Sequence, residues 1–264
     1  MKNTLRRLYH WSRIFGFDPR LLVRSVRAMP KYLAALRQYR KQSRGVHDIF
    51  PMASLHPCLN EEQEASGNIF GPYFRHDLLV AQRIFAANPG RHIDVGSRVD
   101  GFVAHVASFR PIEVLDIRSP AVEIPNITFI QCDLMGELPQ RLVDSCDSLS
   151  SLSALEHFGL GRYGDRICAE GYLRGLENLH LILRPKGRIY LAVPIGTQCV
   201  AFNAHRVFSL SHLLAILEPL FALDRFSYLD DECNLHEGVQ LTRELVDSSC
   251  RCMFGCAIIE GVKR

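Results

Sequence analysis

Long apolar runs, a leader segment and paired cysteines are all missing from this chain, and each absence narrows what it can be. No stretch of the 264 residues approaches the roughly 18 consecutive apolar positions of a membrane-spanning helix. The N-terminus lacks the apolar block and small-residue cleavage site of a secretory leader. A cytoplasmic protein is therefore expected, either free or peripheral at the inner membrane face. The nine cysteines are odd in number and scattered, with no C-x-x-C pair, which fits reduced thiols better than a disulfide framework. Cys250, Cys252 and Cys256 alternate along an expected strand, so they share one face. Zinc would need a fourth ligand from Cys233 or His236, and a thiol-lined core strand with no metal is expected instead.

Acid is nearly absent from residues 1–45, where twelve Lys or Arg meet a single carboxylate, Asp18. The rest of the chain holds 19 bases and 27 acids, so the net charge of +3 hides a basic arm and an acidic body. From Leu5 to Tyr39 the arm alternates apolar and basic residues at helical spacing. Pro19 and Pro30 punctuate that pattern and predict two or three short helices. Such helices either cap the acidic body or adhere to an anionic membrane surface. No nucleic-acid-binding motif accompanies the charge, and nucleic acid is not an expected partner. Residues 46–72, rich in Pro, Gly and polar side chains, read as a connecting loop.

Glycine is sparse where a dinucleotide fold would need it. In His92–Asp116 an apolar strand carries Asp94 and runs into Gly96, a helix-like segment covers Val99–Phe109, and a second strand ends at Asp116. The dinucleotide fingerprint requires glycine two positions after the first, and here that position is Arg98. What remains is a strand, tight turn, helix and strand unit, whose crevice at the strand ends suits a nucleoside. Gly96, Ser97 and Gly101 let backbone approach a ligand, and Asp116, 22 positions after Asp94, is placed to accept from ribose hydroxyls. A third strand ends at Asp133, a candidate acceptor for an adenine amino group.

Upstream of this unit, Gly71–Phe85 predicts a helix with Asp77 as its N-cap, preceded by Tyr73, Arg75 and His76, which can reach over the crevice. Downstream, a strand from about Asp147 to Leu152 leads into the glycine-rich stretch Ser153–Asp165, at a strand end where function concentrates. A long helix is predicted over Arg166–Leu183, stopped by RPKG at 184–187. A fifth strand follows over Arg188–Val193, then a helix over Ser209–Leu217, a strand over Phe221–Tyr228 and a last strand over Cys250–Glu260.

From Gly71 onward this order of elements resembles class I S-adenosylmethionine-dependent methyltransferases. The resemblance rests on the acid and glycine of the first strand, the terminal acid of the second, CD at the end of the third, LEH after the fourth, and RPKG before the fifth. More narrowly, YFRHD, HIDVGSRVDGFVAH, LDIR, EHFGLGRYGD, VPIG and FNAHRVF resemble a family catalogued as a domain of unknown function (DUF), known from nematode genomes and bacterial surface-polysaccharide clusters. The resemblance implies an α/β Rossmann-like methyltransferase fold with a mostly parallel seven-stranded sheet, its last strand antiparallel, and helices on both faces. The fold would span residues 71–264, with residues 1–70 as a basic arm and connecting loop. It implies S-adenosylmethionine as cofactor, held by Asp94, Gly96, Ser97, Gly101, Asp116 and Asp133, although Arg98 and Asp100 stand where such enzymes usually have glycine. The expected activity is O-methyl transfer to a sugar or glycan precursor in polysaccharide synthesis. Candidates for the catalytic base are His157, Glu156 and Asp165. Arg162, Tyr163, Asn203, His205 and Arg206 are candidate acceptor contacts. The alternative is a non-catalytic module of the same fold that organises a glycan-assembly complex.

Overall fold

In the computed structural model, residues 2–43, 54–55, 57–59, 71–118 and 122–264 are described. Most of the connecting loop expected over residues 46–72 lies outside them. The chain packs as two units, residues 1–68 and residues 69–264. The first contains helices α1 (Lys2–Ile14) and α2 (Pro19–Ser43). Pro19 starts α2, where its missing N–H is unpaired in any helix. Pro30 was expected to break the arm but lies inside α2, so the arm is two helices and the second is long.

The second unit opens with α3 (Pro72–Ala87), capped by Gly71 with Pro72 at its first position. Asp77 is consequently not an N-cap: it lies a full turn inside α3, buried. Strands β1 (His92–Val95), β2 (Ile112–Asp116) and β3 (Ile127–Gln131) follow, with only a distorted turn over Val99–Val103 and the short α4 (Ala104–Ala107) between β1 and β2. The expected regular helix over 99–109 fails at Gly101, whose φ of −130° and ψ of −106° are not helical. A Cβ at Gly101 would stand 2.6 Å from the Asp77 Oδ2, so this turn folds closely over α3 because the residue has no side chain.

After β4 (Cys146–Leu152), helix α5 spans Gly171–Ile182, shorter at its start than the sequence suggests. RPKG does not merely stop this helix, because it forms the opening of the long β5 (Leu183–Gly196), with Lys186 at φ 65°. A hairpin of β6 (Cys199–Ala201) and β7 (His205–Val207), helix α6 (Leu210–Leu217), β8 (Phe221–Leu229), the two-residue β9 (Leu235–His236), α7 (Arg243–Asp247) and β10 (Phe254–Lys263) complete the chain. The expected last strand starts later, because Cys250 sits in a tight turn at φ 59°. Cys250, Cys252 and Cys256 are therefore not three alternating positions of one strand. All three are buried, and burial pushes their thiols up, Cys250 to about 11 and Cys252 to about 12.

The strands form one eight-stranded sheet in the order β3-β2-β1-β4-β5-β10-β8-β9. Pairings from β3 to β5 are parallel, and β10 runs antiparallel to both β5 and β8. The eighth strand is the two-residue β9 at one edge, so the expected seven-stranded arrangement stands within a slightly larger sheet. Helices cover both faces, with Leu79, Ile84, Phe102 and Val106 packing on one and Leu176, Leu179, Leu213 and Leu217 on the other. Burial on both faces is why β1 is enclosed along its whole length. After β3 the chain crosses back to the far side of β1, and a crevice opens beyond the strand ends at that reversal.

Candidate functional site

The reversal between β1 and β4 carries a cavity of about 410 Å³, within the range of small-molecule sites. Its floor is the turn after β1. Gly96 has φ 70°, and a Cβ there would come within 2.9 Å of the Ala154 Cβ, so glycine is required by conformation and by space. Asp94 lies below this turn and is fully buried. It accepts from the Ser97 N–H (3.0 Å), the Ser97 Oγ (2.6 Å) and the Ser150 Oγ (2.6 Å). Burial raises its carboxyl to about 6 against those hydrogen bonds. The Ser97 Oγ in turn accepts from the Leu152 N–H at 3.0 Å, tying the β1 turn to the end of β4. Asp94 thus braces the floor from beneath and does not line the cavity. Below it, His92 bonds Ser148 (2.8 Å) and Ser150 (3.1 Å), which satisfies these two buried serines of β4.

Asp116 and Asp133 line the cavity at the ends of β2 and β3. Asp116 is engaged by Arg118: its Oδ1 accepts from the Arg118 N–H (2.7 Å) and Nε (3.0 Å), and its Oδ2 from Nη2 (3.0 Å). A carboxylate has about four acceptor positions, so the side chain retains capacity for a hydroxyl. Asp133 uses its Oδ1 on the Met135 N–H at 2.9 Å. Arg98 does not plug the space: its guanidinium pairs with Asp100 (2.7 and 3.0 Å), lies 5.4 Å from the Tyr73 ring and is largely exposed.

The segment after β4 builds the opposite wall. Ser153 takes φ 55°, an uncommon conformation for a side-chain-bearing residue and a mark of constraint at a site. The His157 Nδ1 lies 2.6 Å from the Ala204 carbonyl and must donate to it, which leaves Nε2 with the lone pair. Burial, with help from Arg162, holds His157 down to about 4, so the ring is neutral near pH 7. Glu156, behind it and outside the cavity wall, is 2% exposed, and burial pushes its carboxyl up to about 8. The 3.8 Å approach of the Glu156 Oε1 to the His157 Nε2 is therefore a contact of two neutral groups at pH 7, not an ion pair.

The remaining expected residues separate by position. Arg162, Tyr163 and Asp165 line the cavity. Arg162 donates to the Ala204 carbonyl (3.0 Å), and its guanidinium lies 5.2 Å from the Tyr163 ring. Asp165 accepts from the N–H groups of Gly159, Gly161 and Tyr163 and is held below the usual carboxylate range despite its partial burial. That makes it an organiser of the loop and a poor base. Gly101, Asn203, His205 and Arg206 stand off the cavity wall. Asn203 donates weakly to the Leu160 carbonyl, and the His205 ring packs on Phe254. Arg206 is buried, donating to the carbonyls of Phe158 (2.6 Å), Ala169 (3.0 Å) and Glu156 (3.4 Å), so it stitches the loop from behind.

Of the three residues expected over the crevice, Tyr73 lines the cavity, while His76 is buried against Asp77 and Ser153. Sequence reasoning missed Arg118, whose guanidinium lies 4.3 Å from the Tyr163 ring and joins the β2 end to the opposite wall. A basic residue two positions after the strand-end acid was the available signal.

A family model described as Caenorhabditis protein of unknown function, DUF268, matches residues 106–249. The chain belongs to this DUF268 family. No curated protein matches it. Among solved structures, it is similar to the N-methyltransferase NodS from Bradyrhizobium japonicum WM9, at 12% identity and a TM-score of 0.50, over 73% of this chain and 97% of that one. It is also similar to the [4+2]-cyclase SpnF, at 16% identity and a TM-score of 0.52, over 72% and 80% of the two chains. The second unit of this DUF268 chain thus has the Rossmann-like methyltransferase fold. At such identities the likeness is one of fold alone, and an N-methyltransferase and a cyclase share it.

Proposed function

We propose that this DUF268 protein is an S-adenosylmethionine-dependent O-methyltransferase whose acceptor is a hydroxyl of a sugar or glycan precursor. The observation that carries the reading is the cavity beyond β1, β2 and β3, with Gly96, Asp116 and Asp133 along one side. A side chain at Gly96 would fill that cradle, and both acids keep free acceptor positions, so the residues present fit an adenosine. Asp116 would hold the ribose hydroxyls and Asp133 the adenine amino group. When bound, the cofactor supplies a methyl carbon on a positively charged sulfur.

The chain's own contribution is orientation and proton removal. His157 is fixed by the Ala204 carbonyl through Nδ1, which presents Nε2 as acceptor for the hydroxyl proton. Glu156, neutral beside it, adds no negative charge that would repel an anionic acceptor. Arg162 donates to one carbonyl and lies beside the Tyr163 ring, which leaves guanidinium donors for a phosphate or carboxylate on the acceptor. The Tyr163 and Tyr73 rings offer flat surfaces for a sugar. The gene-cluster resemblance of the sequence motifs supports the glycan assignment.

Calorimetry with S-adenosylhomocysteine tests the reading. Binding to the wild type should weaken about ten- to hundred-fold in Asp116→Asn, which loses a charged acceptor for two hydroxyls. His157→Ala should keep the affinity and lose turnover. Absence of binding heat with the wild type would refute the enzyme reading. It would favour a non-catalytic module of the same fold, a second reading motivated by the prior hold of Arg118 on Asp116.

A further inference from the structure

We propose that the basic arm is an interfacial anchor that lays α1 and α2 on an anionic lipid surface. The proposal is independent of the cavity and rests on how charge and apolar area are divided within the arm. On α2, Leu22, Val26, Met29 and Leu33 recur at the spacing of one helical face, and all four are substantially exposed, Val26 at 63%. Arg20, Arg24 and Arg27 follow the same spacing on the opposite side. On α1 and the turn that follows it, Leu8, Trp11 and Phe15 form a second apolar stripe, exposed by 62%, 58% and 80%, with the Trp11 and Phe15 rings stacked at 6.4 Å.

Exposed apolar stripes alone would not choose a partner; the charge does. Twelve Lys or Arg and one acid occupy residues 1–45. That one acid is consumed at the joint between the helices. The Asp18 Oδ1 caps α2 by accepting from the N–H groups of Arg20 (2.9 Å) and Leu21 (3.2 Å). Its Oδ2 accepts from the Tyr9 hydroxyl (3.1 Å) and lies 3.4 Å from the Arg13 Nε. Arg24 and Arg27, on the side of α2 opposite its apolar stripe, have no carboxylate partner among the described residues. Arg on one face with Leu, Trp and Phe on the other is the composition that beds a helix at the boundary of headgroups and acyl chains, long side chains reaching back to the phosphates. A protein partner would have to match both an acidic strip and an apolar strip over two helices, whereas an anionic bilayer presents both at once. No described helix is long and apolar enough to cross a membrane, so the contact is one of surface.

Trp11 is the only tryptophan of the chain, so its emission reports the arm directly. Full-length protein should be titrated with vesicles of phosphatidylcholine alone and with vesicles containing 30 mol% phosphatidylglycerol, by Trp11 emission and by co-sedimentation. A blue shift and sedimentation with the anionic vesicles, at least ten-fold tighter than with neutral ones, are expected. The double variant R24Q/R27Q should weaken binding roughly twenty-five-fold, from about five-fold per cation. The variant L22S/L33S should abolish the shift, with far-UV circular dichroism and gel filtration showing that the fold is kept. No blue shift with anionic vesicles, equal affinity for both vesicle types, or indifference to R24Q/R27Q would each overturn the proposal. So would a blue shift on concentrating the protein without lipid, which would assign the stripes to a second copy of the chain.

Discussion

Glutamine in place of Glu156 should stabilise the protein in a way that grows with pH. The Glu156 carboxyl is 2% exposed, and its Oε2 finds no hydrogen-bond partner among the described residues. Burial raises it from 4.5 to about 8, so the folded protein holds a proton that the unfolded chain releases over that interval. Below pH 4.5 both states are protonated and the group costs nothing. As pH rises toward 8 the unfolded state is progressively favoured, by about 1.4 kcal/mol per pH unit. At pH 7 the interval is 2.5 units, a cost of about 3 kcal/mol, and above pH 8 it levels off near 5 kcal/mol. Gln cannot ionise and removes this dependence while keeping the volume.

The difference between variant and wild-type stability is the quantity to measure, by denaturant unfolding from pH 4 to pH 9. The wild-type curve alone would mask the effect, because His92 and His157, depressed by burial to about 3 and about 4, bind protons more readily when unfolded and so gain stability as pH rises. Any fixed penalty for an unpartnered Gln amide shifts the difference curve without tilting it. For a domain of this size the pH 7 difference corresponds to roughly 6–12 °C in melting temperature. A difference curve that stays flat across this range would refute the assignment of a neutral Glu156. It would also place a carboxylate 3.8 Å from the His157 Nε2, which favours the protonated ring and weakens His157 as an acceptor at neutral pH.

Two further substitutions separate floor from frame. Gly96→Val puts a branched side chain where a Cβ already meets Ala154 at 2.9 Å, in a left-handed conformation. It should eliminate binding heat with S-adenosylhomocysteine, and retained affinity would remove the turn from the site. Arg206→Met leaves the carbonyls of Phe158, Ala169 and Glu156 without their donor. A loss of about 3 kcal/mol in denaturant unfolding is expected, and a loss of acceptor affinity at unchanged stability would instead make Arg206 a ligand contact.

The parts of this fold legible in the sequence are those set by local chemistry repeated over several residues. The short strand of β1 with Ile93 and Val95, the Asp94 and Gly96 spacing and the strand-end acids Asp116 and Asp133 locate the sheet and its crevice, because enclosure on both faces favours apolar strands. Illegible were the features decided by one distant contact. Asp77 looks like a helix cap because nothing in the sequence shows the 99–103 turn folding over it. Arg206 looks like a substrate donor because its three carbonyl acceptors are 37 to 50 residues away. RPKG ends α5 as its composition suggests, yet it also begins β5, since Leu183 pairs with Cys146 across the sheet.

The same distinction bears on the reaction. Polar residues of the Ser153–Asp165 loop divide into those spent on holding the loop and those left over. Asp165 is satisfied by three backbone N–H groups, and Arg206 by three carbonyls from behind. His157 and Arg162 share a single acceptor, the Ala204 carbonyl, which uses one ring nitrogen of the first and one guanidinium nitrogen of the second. The capacity that remains, a lone pair on the His157 Nε2 and the unused donors of Arg162, belongs to groups on the same wall of the cavity as Tyr163. A proton acceptor beside a cation is the arrangement that an anionic, hydroxyl-bearing acceptor requires. It is also why the neutral state of Glu156 matters, since a second carboxylate in that corner would cancel the charge Arg162 provides.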